Sequence, residues 1–191
     1  AVHQPNFIPY LGFFHKAGRS DVFILYDTAQ YSKNDFTNRN RIKTPQGPLW
    51  LTVPVSLHLG ERIGEVKTAP VATFCDKHLK TIAGAYKKAP FFADIFPLIE
   101  QAYAAPLERI VDLTIPLIRA IIGRLFPHVK IVLSSEMELD LNLKSTEALV
   151  VMMQKVGADT YLSGPGAREY LEEAQFEHVG VKVEWQEFHH P

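Results

Sequence analysis

Asp21-Val-Phe-Ile-Leu-Tyr-Asp27 is the stretch on which the fold turns: five apolar residues in succession, closed at each end by an acid. The run is too short for an ordinary helix and apolar at every alternate position. It therefore reads as a strand buried on both faces, the condition of a parallel sheet. Upstream, residues 1–7 suit a short first strand, and Pro5 and Pro9 then break regular structure because neither carries an amide donor. Leu11, Phe13, Phe14 and Ala17 have the spacing of a short helix that Gly18 stops. Strand, helix and buried strand together make one βαβ unit.

Working outward, the last third repeats this theme, with strands expected at 130–134, 160–162 and 181–185 and helices at 146–156 and 167–176. Between the two βα portions the chain turns polar and basic. A turn at Pro45, Gln46, Gly47 and Pro48 then leads into a strand over 49–55, which reads as a β-hairpin with Pro54 near an edge. Helices are expected at 73–88, 91–104 and 107–126, the last kinked or ended by Pro116. The expectation is a single α/β domain over 1–191, an open, mainly parallel sheet with helices on both faces. A β-hairpin and helical insertion occupies about 30–128.

The chain has 191 residues, enough for one domain with a sizeable core, and 47% are hydrophobic against 21% charged. Twenty Lys and Arg against 21 Asp and Glu leave a net charge of -1, which argues against a general nucleic-acid or membrane-surface binder. Cys75 is the single cysteine, so no intramolecular disulfide forms and a reducing compartment is expected. Arg119 and Arg124 interrupt the longest apolar run, and the start shows no basic-then-apolar leader. A soluble, cytoplasmic protein is expected. Neither zinc-type spacing, nor a Gly-x-x-x-x-Gly-Lys loop, nor a Gly-x-Gly-x-x-Gly fingerprint, nor a Gly-x-Ser-x-Gly elbow occurs. Metal hydrolase, P-loop and serine-hydrolase readings are thereby disfavoured.

In open parallel sheets ligands gather outside the carboxyl ends of the strands. That rule selects the segments 4–12, 27–40, 134–144 and 163–168. Ser163-Gly-Pro-Gly-Ala-Arg168 follows a strand, and Ser163, Gly164, Gly166 and Arg168 suit either an anion at a helix start or a plain glycine-rich connection. Asn38-Arg-Asn-Arg41 puts Asn38 and Asn40 on one face of an extended segment and Arg39 and Arg41 on the other. Amide contacts and a phosphate or carboxylate could share it, or it is a solvated, charge-protected edge. His3 could act as acid or base or sit as a bonded core histidine. Asp27 could touch a ligand or cap a loop. Lys16 and Lys144 could reach phosphate, or serve as a surface lysine and the residue ahead of a helix cap.

The blocks His3-Gln-Pro-Asn-Phe-Ile-Pro-Tyr-Leu-Gly-Phe-Phe-His-Lys16, Asp21 to Asp27, Gln30, Asn38-Arg-Asn-Arg-Ile42, Trp50-Leu-Thr-Val-Pro54 and Tyr161-Leu-Ser-Gly-Pro-Gly-Ala167 together closely resemble the WbqC-like family. The resemblance implies a bacterial context of O-antigen and other surface-polysaccharide genes, and a role in attaching an amino acid such as glycine to an amino sugar. The early strand, loop and helix also resemble the nucleotidyltransferase-like group, although the His-x-Gly-His signature of that group is absent. The family resemblance points to a transferase modifying a nucleotide-linked amino sugar by aminoacyl transfer. His3 and Asp27 would handle the proton. Gln4, Lys16, Gln30, Asn38, Arg39, Asn40, Arg41, Lys144 and the 163–168 loop would bind substrate, and Tyr10 or Trp50 would stack on a ring. The alternatives are a non-catalytic protein that binds a nucleotide-sugar or a partner enzyme, and an ATP-dependent ligase that activates an amino acid. ATP or a nucleotide-sugar is the expected small-molecule partner, without nucleic acid, membrane span or metal.

Overall fold

The computed structural model describes residues 1–143 and 145–190. In chain order the strands are β1 (Val2–His3), β2 (Val22–Leu25), β3 (Arg39–Thr44), β4 (Gly47–Thr52), β5 (Val55–Ser56), β6 (Lys67–Thr68), β7 (Lys130–Leu133), β8 (Thr160–Ser163) and β9 (Lys182–Trp185). The helices are α1 (Leu11–Gly18), α2 (Cys75–Tyr86), α3 (Phe92–Ala104), α4 (Ile110–Leu125), α5 (Ser145–Val156) and α6 (Glu173–His178). This is a mixed α/β fold with parallel strands and no closed barrel. The chain divides into two compact units. One holds residues 1–4, 10–28 and everything from 125 onward, and the other holds Pro5–Pro9 and Ala29–Arg124.

In the first unit β1, β2 and β7 form a parallel sheet in the order β1-β2-β7, with His3 beside Leu25 and Leu25 beside Leu133. The apolar run 22–26 earns its place here, since Phe23, Ile24 and Leu25 are all fully buried. Ile24 joins Val2, Met152, Met153, Tyr161 and Phe176 in one core cluster, while Phe13 of α1 packs edge-on against Phe23 and His3. β8 and β9 pair in parallel as a second sheet, with no ladder to the first among the described residues. β1 has little length to offer as a template, because Pro5 follows almost at once. A helix over 167–176 does not form. The chain makes a single 3₁₀ turn at Pro165–Ala167, and α6 starts only at Glu173.

In the second unit β3 and β4 pair antiparallel over six residues each, from Arg39 beside Thr52 to Thr44 beside Gly47. Ile42 and Leu51 face inward and are buried. α4 runs unbroken through Pro116. Leu113, Leu117, Ile118 and Ile122 are buried on both sides of the proline, and this packing outweighs the lost hydrogen bond. Among the described residues no helix is long and apolar enough to cross a membrane.

Candidate functional site

The site is built where β1 ends. Ala1 and His3 direct their carbonyls to the amides of Ile24 on β2 and of Tyr26 just past its end, so the Val2 carbonyl points the other way, off the edge of the sheet. Lys16 of α1 answers it, its Nζ donating to Val2 O at 2.9 Å. Lys16 is 5% exposed and, among the described residues, forms no ion pair with a carboxylate. An ammonium has three donors to place, and this one uses a single carbonyl. Burial lowers its pKa to about 8, which leaves it charged at neutral pH.

Two groups complete the surroundings of that charge. A Cβ on Gly164, just past the end of β8, would stand 3.8 Å from Lys16 Nζ. The backbone there is ordinary extended chain (φ -78), so no left-handed turn demands the glycine and the absent side chain simply leaves space. Ser163 is fully buried and its Oγ makes no hydrogen bond of good geometry, with the Tyr161 hydroxyl as its polar neighbour.

His3 is half-buried and its Nδ1 lies 3.0 Å from Gln4 O. A carbonyl only accepts, so Nδ1 carries the proton and the neutral ring presents an unprotonated Nε2. Burial, reinforced by the Lys16 charge and opposed by the Gln4 carbonyl, holds the His3 pKa down at about 3. His3 is therefore a neutral acceptor at pH 7.

Asp27 is buried where β2 ends. Its Oδ1 accepts from Ser134 Oγ at 2.8 Å and from Ser135 N at 3.0 Å, and Thr28 also bonds Ser134 Oγ. It ties the end of β2 to the end of β7 through one oxygen. Arg168 is exposed, with its guanidinium stacked over Trp185 at 4.5 Å, and Gly166 sits in the 3₁₀ turn. With no helix beginning at the glycine-rich loop, the helix-terminus argument for an anion there falls away. The fixed charge close to Gly164 comes from Lys16. Tyr10 opens α1 half-exposed, its ring near Phe188 and His190. Lys144 lies outside the described residues.

The second unit holds the rest. Gln30 is exposed and bridges Arg62. Asn38 accepts from the Tyr31 hydroxyl at 2.7 Å and donates to Val53 O at 2.9 Å. Asn40 donates to the carbonyls of Phe7 (3.3 Å) and Ile8 (2.7 Å). Both amides serve the protein's own backbone, and Asn40 clamps Ile8 at a positive φ of 43, an unusual posture for a β-branched residue. Arg39 and Arg41 lie over the Trp50 ring, at 4.6 and 5.4 Å.

The structure thus groups His3, Gln4, Tyr10, Lys16, Asp27, Ser163, Gly164, Gly166 and Arg168 in one unit, and Gln30, Asn38 to Arg41 and Trp50 in the other. Sequence reasoning passed over Gln186, which is buried and donates to Gly12 O at 2.7 Å and to His15 Nδ1 at 3.0 Å. The one signal available was a polar residue between Trp185 and Phe188. Among the described residues no group of three His, Cys, Asp or Glu side chains is placed to hold a metal ion. A cavity of about 390 Å³, lined by Lys130, Lys155 and Glu136 with Val22, Val132, Met137 and Val156, contains none of the candidate residues.

Parallel strands, with an enclosed cation and an unprotonated imidazole nitrogen where β1 ends, define an α/β protein with a positively charged strand end. The chain belongs to the WbqC-like protein family, which matches it over residues 4–191. It is 33% identical over 189 residues to the uncharacterized protein Rv1507c of Mycobacterium tuberculosis (strain ATCC 25618 / H37Rv), covering 97% of this chain and 80% of that one. No solved structure matches the chain.

Proposed function

We propose that this WbqC-like protein is a transferase of bacterial surface-polysaccharide (O-antigen) biosynthesis, acting in the cytoplasm on a nucleotide-linked amino sugar by aminoacyl, most concretely glycyl, transfer. The open sheet with helices on both faces and the nucleotidyltransferase-like pattern belong to the same proposal. The observation that carries it is Lys16, a buried ammonium with no carboxylate partner among the described residues, beside Gly164 and a His3 that turns Nδ1 to Gln4 O and leaves Nε2 as the acceptor.

Lys16 would hold the negative group of the acyl donor, with Ser163 Oγ as a further donor. The sugar amine would donate a hydrogen bond to His3 Nε2 and attack the acyl carbonyl. A C–N bond forms, the bond to the leaving group breaks with its electron pair, and the amine proton passes to His3. The donor's negative charge also offsets the Lys16 field, so His3 becomes a stronger base when the donor is in place. Asp27, with Oδ2 uncommitted to the strand ends, is the second proton acceptor. Gln4, Gly166, Arg168 and Lys144 belong to the proposed substrate contacts of this unit, with Tyr10 as a stacking platform. Gln30, Asn38, Arg39, Asn40, Arg41 and Trp50 belong to those of the other.

Calorimetry with nucleotide-linked amino sugars tests the reading. Heat in wild type, with turnover lost and binding kept in His3→Ala and Asp27→Asn, supports the transferase. Silence at millimolar ligand rejects it. The setting of His3 favours a non-catalytic binding protein instead: enclosed beside the Lys16 ammonium and with Nδ1 at Gln4 O, the ring is held well below the usual histidine range and is a poor proton acceptor. Binding without any turnover in wild type would select that second reading.

A further inference from the structure

We infer that the outer face of the β3–β4 ribbon reads a nucleoside diphosphate, with Arg39 and Arg41, stacked on Trp50, gripping the phosphates while the base meets Phe36 and Trp50. The inference rests on the nucleotide-linked substrate proposed above and names the side chains that hold its nucleotide part.

Strand alternation sends Arg39, Arg41 and Lys43 to one face of β3 and Asn40 and Ile42 to the other. Because Ile42 and its neighbour Leu51 are buried, the cationic face is the outward one. The register puts Arg41 directly opposite Trp50 and Arg39 diagonal to it, so both guanidinium groups gather on a single indole. Stacking fixes a guanidinium by its flat face and leaves its N–H edges free, which suits bidentate binding of phosphate. Arg39 is held further by a bond from Nη2 to Asn34 O and its Nε is buried, so it meets a phosphate through its Nη1 side, whereas the exposed Arg41 offers its whole fork.

The charge on this face is uncompensated. Among the described residues no ion pair involves Arg39, Arg41 or Lys43, and Asp35 of the preceding turn spends Oδ1 on the Phe36 amide. One open guanidinium fork, a second guanidinium presented through Nη1 and a flexible ammonium call for an anion of more than one charge. Phe36 stacks beside Trp50 at 6.2 Å and 30°, and each is 44% exposed, so a planar ring has an aromatic surface to lie on. Together these select a diphosphate carrying a base over a bare anion.

Calorimetry on the full chain with uridine diphosphate, inorganic pyrophosphate and uridine decides the matter. Wild type is expected to bind uridine diphosphate best, pyrophosphate less tightly and uridine least. The double variant R39K/R41K keeps both charges but loses the forks and the stacking, and uridine diphosphate affinity should fall at least about tenfold. Trp50→Leu should weaken both uridine diphosphate and pyrophosphate, because it releases the two guanidinium groups, whereas Phe36→Leu should weaken uridine diphosphate and spare pyrophosphate. Should R39K/R41K and Trp50→Leu both bind like wild type while Lys16→Met loses the ligand, the ribbon is the wrong place and the earlier reading survives. If wild type binds no uridine diphosphate at millimolar concentration, both fall.

Discussion

Replacing Lys16 with Met keeps the apolar stem and removes the ammonium. The change relieves a buried charge but strips Val2 O of its donor, so stability should stay within about 1 kcal/mol of wild type by urea unfolding. Anion binding at the strand end should disappear, and a calorimeter reads that directly. Gly164 separates space from backbone. Its φ is one any residue adopts and an added Cβ sits at ordinary contact distance, so Gly164→Ala should fold as wild type. Gly164→Leu should drive into the Lys16 head group and abolish anion binding while leaving the far-ultraviolet circular dichroism unchanged. The two titrating groups also set a pH dependence. Unfolded, His3 takes up a proton near 6.5; folded, it resists until about 3. The unfolded chain therefore binds more protons across that interval, and stability should fall as pH drops from 6.5 towards 3. Lys16, at about 8 folded against 10.5 unfolded, contributes a rise in stability between those values. Denaturant midpoints against pH check both, and His3→Gln should flatten the acid limb.

Elements differ in how openly the sequence announced them. The β2 run was legible because five adjacent apolar residues admit few other structures, and α1 because its apolar spacing ends at Gly18. The β3–β4 ribbon was half visible: the turn and β4 stood out, but β3 hides because Ile42 is the one apolar residue of Arg39–Thr44. Pro116 misled in the opposite sense, because local propensity cannot weigh the buried stripe that carries α4 past it. Helix N-terminal chemistry after Gly164 was illegible, since the path of the chain up to α6 is decided by Thr146, whose hydroxyl accepts from the Glu172 amide across 26 positions. The target of Lys16 was equally hidden: it depends on which carbonyl of β1 the sheet leaves unused. Asn40 offers a test at this scale. Its amide holds two successive carbonyls around Ile8, so Asn40→Ala should cost about 1–3 kcal/mol in thermal or chemical unfolding.

At the scale of the whole molecule, neither unit is a continuous piece of chain. Phe7 is fully buried, donates its amide to Phe36 O and packs 5.9 Å from the His78 ring, so the unit made mainly of residues 29–124 needs residues 5–9. A fragment spanning 29–124 should therefore lack cooperative unfolding, and should regain it when a peptide carrying residues 5–9 is supplied. In the intact chain Phe7→Ala should cost about 3–5 kcal/mol. Circular dichroism melts of the fragment and the variant measure both. The near balance of charge gives no hint of this arrangement, because the contacts that close the unit are apolar and backbone ones.

That interleaving has a consequence for how the protein is made. Val2 and Ile24 leave the ribosome more than a hundred residues ahead of Met152, Met153 and Phe176, the α5 and α6 residues that cover them. During translation the nascent β1–β2 pair must wait, sticky and uncovered, while residues 29–124 collapse around their own centre. Protection against aggregation is needed most between the emergence of β2 and that of α6, and release from any chaperone guarding this stretch should coincide with the appearance of α5 and α6.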